Sequence, residues 1–195
     1  MSAPVSLVLA SASPQRRAIL EQLGVAFSVV APHVEELCGG HPAEMVVENA
    51  RRKARAVEGE RVLGADTAVV LDGAVIGKPA GREHAAELLS ALSGRAHEVV
   101  SGIVLRSGAS ELAGHGGATV RFRPLAARDI ESYLATGEWR GRAGGYAIQG
   151  RGAALVEAVE GDFYAVVGLP VAELVRLAPE LVGGGEAPPG SVDPG

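Results

Sequence analysis

Asp66 lies inside the apolar run Val62-Leu63-Gly64-Ala65-Asp66-Thr67-Ala68-Val69-Val70-Leu71. A carboxylate in a buried strand is costly unless something compensates it. Gly77-Lys78-Pro79 follows shortly downstream. Near the N-terminus, Ser11-Ala12-Ser13-Pro14-Gln15-Arg16-Arg17 joins an apolar strand to a helix. An acid for a metal, a loop–helix junction for an anion and cations nearby point to a site that handles phosphate.

Each of these groups has a physical reading. Free amides at a helix start attract anions, and the hydroxyls of Ser11 and Ser13 with Arg16 add donors. The junction is not a Walker loop, because Gly-Lys-Ser/Thr is missing, and no Gly-x-Gly-x-x-Gly turn follows the first strand. Val46, Ala50 and Val57 stand at helical spacing around Lys53, which places Lys53 on the inward stripe. There it is either a lysine whose stem covers the core while its head reaches water, or a cation aimed into a cleft. Asp66 either accepts hydrogen bonds from the backbone and hydroxyls, or binds a divalent metal, or takes a proton from water. Glu36 is the candidate second oxygen ligand. Gln149, in Gly145-Tyr146-Ala147-Ile148-Gln149-Gly150, offers a donor and an acceptor, which suits a base edge. The bland reading of that stretch is a mobile glycine-rich surface loop.

Composition excludes other chemistries. The five histidines show no zinc-ligand spacing, and the single cysteine rules out an intrachain disulfide and thiolate-rich metal sites. No Gly-x-Ser-x-Gly elbow is present, so activated water is favoured over a covalent nucleophile. A net charge of −5 argues against a nucleic-acid polymer or an anionic membrane as partner. Local clusters such as Arg16-Arg17 still permit a small polyanion to bind. No leader peptide and no membrane span are expected, so the expected location is the cytoplasm.

Stepping outward from these groups, the chain reads as α/β with a mixed sheet. Strands are expected at Ser6–Ala10, Val25–Val30, Arg61–Leu71, Ala74–Ile76, His97–Leu105, Glu111–Ala113, Ala118–Phe122 and Ala153–Val159. Helices are expected from Pro14 to about Leu23 with Ser13 as cap and Gly24 as stop, and at about Ala43–Glu58. Others are expected at Arg82–Ser93, Arg128–Thr136 and Pro170–Leu177, with a glycine-rich loop over Glu138–Gly152. Residues 1–182 should form one domain, and residues 183–195 a disordered tail rich in Gly and Pro.

Taken together, seven short segments in order resemble the Maf family of septum formation and nucleotide pyrophosphatase proteins. They are Leu9 to Arg17, Lys53-Ala54-Arg55-Ala56, Gly64-Ala65-Asp66-Thr67, Gly77-Lys78-Pro79, Leu92 to His97, Tyr146 to Gly150, and Val167-Gly168-Leu169-Pro170. The resemblance implies an inosine-triphosphatase-like (Maf/Ham1-like) fold, with a mixed twisted sheet flanked by helices and a cleft between two lobes. It implies hydrolysis of a nucleoside triphosphate to monophosphate and pyrophosphate with a divalent metal cation (Mg, Mn or Co). Asp66 matches the family's proton acceptor or metal ligand, and Glu36, rather than Glu35, the second metal ligand. Lys53 and Lys78 match lysines for phosphate, and Ser11, Ser13 and Arg16 match the anion-binding junction. Gln15, Thr67 and Gln149 match positions that separate a dTTP and UTP branch from a 7-methyl-GTP branch. Thr67 and Gln149 look like the former, whereas Gln15 stands where that branch has Arg. Two further departures are Gly137-Glu138-Trp139-Arg140-Gly141-Arg142-Ala143-Gly144, where the usual Asp is gone, and Ala147, which replaces a glycine. A homodimer and a role in nucleotide-pool cleaning or cell-division arrest follow at family level. A nucleotide-binding regulator of septum formation acting without turnover is the alternative, and removal of the γ-phosphate alone is a third possibility.

Overall fold

A computed structural model describes residues 7–183, so Ser6 and residues 184–195 of the tail expected from residue 183 lie outside the described residues, whereas Gly183 ends a helix. Strand β1 (Leu7–Ala10) leads through a short turn into helix α1 (Pro14–Gln22). Pro14 starts the helix, the Ser13 hydroxyl accepts from the Arg16 amide, and Gly24 follows the end with a positive φ of 69°. Strand β2 is Phe27–Val30, and α2 is Pro42–Arg55. Strand β3 (Arg61–Leu71) turns at Asp72-Gly73 into β4 (Ala74–Ile76). Helix α3 is Arg82–Leu92, followed by β5 (Ala96–Ser107), β6 (Ser110–Phe122) and α4 (Ala127–Leu134). The chain ends with β7 (Val156–Gly161), α5 (Phe163–Val167), α6 (Val171–Leu177) and α7 (Glu180–Gly183).

The seven strands form one mixed sheet in the order β2-β1-β3-β5-β6-β7, with β4 on β3. The parallel pairs are β2 with β1 and β1 with β3; the remaining pairs are antiparallel. One core gathers Val69, Leu89, Val99, Phe122, Tyr133 and Trp139 between α3, α4 and the sheet. A second gathers Leu9, Leu20, Leu63, Ile103, Leu169 and Leu174 beneath α1 and α6. Helix α2 covers the opposite face through Ala50 and Ala54 against Val62 and Val104. These two main cores are the bodies of two lobes.

Several element expectations need correction. Glu111–Ala113 and Ala118–Phe122 are parts of one continuous strand, β6, paired with β5 throughout. Glycine weakens a strand interior, and Gly114, Gly116 and Gly117 lie between the two expected segments. They serve packing instead: a Cβ on Gly114 would run into Glu173, and one on Gly116 would lie 2.8 Å from Pro170. Residues 153–155, read as the start of a strand, belong to a 3-10 turn over Arg151–Leu155, and β7 begins at Val156. Helix α5 was not foreseen, because five residues are too few to show a period; Asp162 caps it by accepting from the Tyr164 and Ala165 amides. The expected loop Glu138–Gly152 contains a short 3-10 turn at Ala143–Gly145.

Close approach of α2 to the sheet depends on two glycines. A Cβ on Gly64 would collide with the Ala50 carbonyl, and one on Gly102 would lie 2.6 Å from the Val46 carbonyl carbon. Gly64→Ala must therefore push α2 off β3. The expected cost is about 3 kcal/mol or more, at the upper end of overpacking effects. Urea unfolding of the variant checks this.

His97 is buried against Phe122 and Tyr146, with Nε2 2.8 Å from the Tyr146 hydroxyl and Nδ1 unpartnered. Burial lowers its pKa to about 4. The unfolded chain takes up that proton near pH 6.5, so between the two values the unfolded state binds more protons. Stability from this group is complete above about pH 6.5 and falls as pH drops toward 4, by on the order of 3 kcal/mol. In His97→Gln that part of the acid sensitivity should vanish, as read by unfolding free energies from pH 7 to 4.

Candidate functional site

The ladder along β3 is interrupted on one side. Strand β1 pairs with it only from Leu7↔Arg61 to Ala10↔Gly64, and β4 only from Val69 to Leu71. Among the described residues, 65–68 have no strand partner on that side, whereas β5 pairs with all four on the other. Successive side chains of a strand point to opposite faces. At this gap Asp66 and Thr67 nevertheless reach the same space, a cleft of about 540 Å³. One wall is the β1–α1 junction with Glu36, Lys53 and Lys78; the other is the segment 140–149. The cleft opens at the carboxyl end of β1, where α/β sheets place their ligands.

On the Asp66 face, charge is tightly balanced. Lys53 Nζ lies 2.6 Å from Asp66 Oδ1 and 2.6 Å from Glu36 Oε1. Its side chain is 8% exposed, so the ammonium does not escape to water and is a cation held in the cleft. The same stripe of α2 carries Asn49, which donates to Asp66 Oδ2 at 2.9 Å. Asn49 also grips Leu37, accepting from its amide at 2.7 Å and donating to its carbonyl at 3.1 Å. This splint fixes the loop that carries Glu36. Burial alone would raise the Glu36 pKa, but the hydrogen bond and charge of Lys53, with Lys78 and Arg16, outweigh it and hold the carboxyl below its usual range. Lys78 is largely exposed, 3.6 Å from Glu36 Oε2. Glu35 points to solvent, so the second acid of the site is Glu36.

The Thr67 face is organised by Arg16. This buried guanidinium donates to the Gly168 carbonyl at 2.8 Å, to Ser11 Oγ at 3.0 Å and to Thr67 Oγ1 at 3.0 Å. Burial lowers its pKa, Asp66 and Glu36 oppose that, and Arg142 adds to it. Arg16 is thus a cross-tie between α1, β3 and the segment after α5, with two of its five N–H groups left for a ligand. Thr67 Oγ1 lies 2.7 Å from Ser101 Oγ, which donates to the Ala165 carbonyl at 2.7 Å. The Ser13 amide donates to Ser11 Oγ at 3.2 Å, and the Ser13 hydroxyl to Gln15 Oε1 at 3.2 Å.

The far rim is held from behind by two tyrosines. The Ala147 amide donates to the Tyr133 hydroxyl at 3.0 Å, and Tyr146 meets His97. Burial pushes the Tyr133 phenol up to about 12, and burial raises Tyr146 as well. Both therefore stay neutral. Gln149 is exposed at the rim, beside Arg140 and Arg142.

All the residues expected from the sequence converge here. Ser11, Ser13, Gln15, Arg16, Glu36, Lys53, Asp66, Thr67, Lys78 and Gln149 line this one cleft. Asn49 and Ser101 went unseen. Asn49 had a signal, one helical turn before Lys53 on the same stripe; Ser101 had none beyond being a hydroxyl in an apolar strand. Among the described residues, no group of three or more His, Cys, Asp or Glu side chains gathers to hold a metal. A divalent cation would draw Glu36 and Asp66 from the chain and complete its shell with phosphate oxygens and water, a common arrangement for Mg²⁺. Among the described residues, no helix is long and apolar enough to cross a membrane.

The sequence model of the family described as Maf-like protein matches residues 6–181. A dTTP/UTP pyrophosphatase of Symbiobacterium thermophilum is 49% identical over 177 residues, 88% of this chain and 91% of that protein. A dTTP/UTP pyrophosphatase of Anaeromyxobacter sp. is 52% identical over 178 residues, 88% of this chain and 87% of that protein. Among solved structures, the Staphylococcus aureus Ham1 protein aligns with a TM-score of 0.43 at 14% identity, covering 60% of this chain and 71% of that one.

Lys53→Met would strand two carboxylates beside an apolar stem. The expected loss of stability is about 3 kcal/mol at neutral pH, within the range for breaking a buried pair. Without the ammonium, burial is left to raise the Glu36 carboxyl pKa, so protonation relieves the defect. The gap to wild type should narrow as pH falls toward 4–5, the range of ordinary carboxyl values. Unfolding curves at pH 7.5 and pH 5 test both parts.

Proposed function

The chain belongs to the Maf-like protein family, and we propose that its cleft hydrolyses a nucleoside triphosphate, dTTP or UTP, to the monophosphate and pyrophosphate. The observation that carries this reading is the ammonium of Lys53 clamped between Asp66 and Glu36 at the head of the cleft. Five cationic side chains, Arg16, Lys53, Lys78, Arg140 and Arg142, line it against two acids. That balance suits a polyanion, although the chain as a whole is acidic, at −5.

The mechanism follows from these groups. Phosphoryl transfer rests mostly on positioning and charge stabilisation. Asp66, held by Lys53 and Asn49, orients the attacking water and takes its proton. Lys53 sits where it can steady that carboxylate and the developing charge on phosphate oxygens at once. Lys78, exposed at the mouth, neutralises the departing pyrophosphate. The β1–α1 junction supplies hydroxyls and a helix start for the phosphate chain. Glu36 and Asp66 would hold a divalent cation carried in with the triphosphate, and that cation, when bound, polarises phosphoryl oxygens. Thr67, Gln149 and Gln15 shape the base pocket, on the side away from Asp66. The free nucleotide pool places this activity in the cytoplasm, where it would clean that pool or limit division.

Resolving the products of a nucleotide panel with Mg²⁺, Mn²⁺ or Co²⁺ tests the reaction. Monophosphate and pyrophosphate are expected from dTTP and UTP. Diphosphate and orthophosphate would overturn the proposed cleavage, and tight binding without turnover would favour a regulator. Asp66→Asn should fold and lose about 100- to 1000-fold in turnover; near-wild-type rates would remove Asp66 from the mechanism.

A further inference from the structure

The hydroxyl of Thr67 belongs to a hydrogen-bonded chain whose proton order is fixed at both ends. A guanidinium only donates and a carbonyl only accepts. Arg16 donates to Thr67 Oγ1 at 3.0 Å, so Thr67 accepts there. At the other end, the Ala165 carbonyl needs Ser101. Helix α5 stops at Val167, and the Leu169 amide donates to Tyr164 instead. Ser101 is fully buried and 2.7 Å from that carbonyl, so its single proton goes to Ala165. Leaving the carbonyl orphaned in the interior is the costly alternative. Across the 2.7 Å contact between the two hydroxyls, Thr67 must then donate to Ser101.

One lone pair of Thr67 is left, and no proton. The residue lines the cleft, and Gly168 keeps the approach open, since a Cβ there would stand 3.4 Å from Thr67 Oγ1. An oxygen that can only accept does not bind phosphate oxygens, which also only accept. Val69 and Val99, two positions along the paired strands from Thr67 and Ser101 and so on the same face, line the cleft with Val166 and Val167, and these side chains suit the flat apolar faces of a base.

We propose that Ser101 is a positioning residue that makes Thr67 Oγ1 an acceptor-only contact, and that this contact takes the ring N–H of an imide base such as uracil or thymine. Cytosine presents a lone pair at that ring position and is repelled. This assignment rests on the nucleotide reading of the cleft given above, and adds the device by which the base is chosen.

Ser101→Ala frees the Thr67 proton, which can then turn toward the cleft and donate to cytosine. The UTP-to-CTP ratio of kcat/KM should fall by roughly 10- to 100-fold, the equivalent of one well-made hydrogen bond. The kcat at saturating UTP should hold, since Asp66 and Lys53 lie on the other face. The ratio of UMP to CMP affinities, measured by calorimetry, should fall in parallel. Unchanged ratios in a folded variant overturn the assignment. If Ser101→Ala does not fold, the wild-type protein with N3-methyl-UTP decides: rejection supports the ring N–H contact, and turnover equal to that of UTP overturns it. A wild-type protein that releases no pyrophosphate from UTP defeats the hydrolysis reading instead, and the monophosphate affinities still decide this one.

Discussion

Everything at the site depends on four residues of β3 that, among the described residues, lack a strand partner on one side. Where β1 ends at Ala10 and before β4 begins to pair at Val69, the sheet has an open notch. A strand alternates its side chains between two faces, so a continuous sheet would have sealed Asp66 from Thr67. The notch lets both look into one space while each keeps its own supporting layer. Helix α2 stands behind Asp66; α1 and the segment around α5 stand behind Thr67. Asp66 and Thr67 are thereby adjacent in sequence but separately built.

The second constraint is charge. A carboxylate, an ammonium and another carboxylate stand in a row, with Lys53 in the middle and side-chain exposures of 11% for Asp66 and 8% for Lys53. Such a row is stable only if the remaining lone pairs and protons find partners. Asn49 provides one, and its grip on the Leu37 backbone ties the Glu36 loop to the same helix. Neither acid can shift without disturbing α2, and α2 lies close because Gly64 and Gly102 leave it room.

Much of this was legible in the amino-acid sequence. Asp66 in an apolar run, Lys53 on an inward stripe and Ser13-Pro14 at a helix start are local patterns with local causes, and each turned up where expected. The segments that resemble the Maf family ordered them correctly along the chain. What was not legible depends on contacts between distant segments. The continuity of β6 was not legible, because Glu173 and Pro170, which pack on its glycines, lie more than fifty residues later. The fastening of Arg16 was not legible, because its partner Gly168 is 152 residues away. Ser101 read as one more small residue of a strand, since its role appears only once Ala165 is brought against it.

The long antiparallel slab also sets how the molecule can deform. Strands β3 and β5 each send side chains into both main cores: Leu63 and Ile103 to one, Val69 and Val99 to the other. The two lobes are therefore not rigid bodies joined by a hinge but two ends of one stiff beam. Swinging them together would shear a hydrogen-bonded ladder that runs without a break from Arg61↔Ser107 to Val70↔Glu98. Any tightening around a guest must come from the softer walls around the glycine-rich rim near Gln149, because Asn49 splints the stretch that carries Glu36 to α2. Entry and exit rates then become a property of those walls, and they can change while the bottom of the notch keeps its shape.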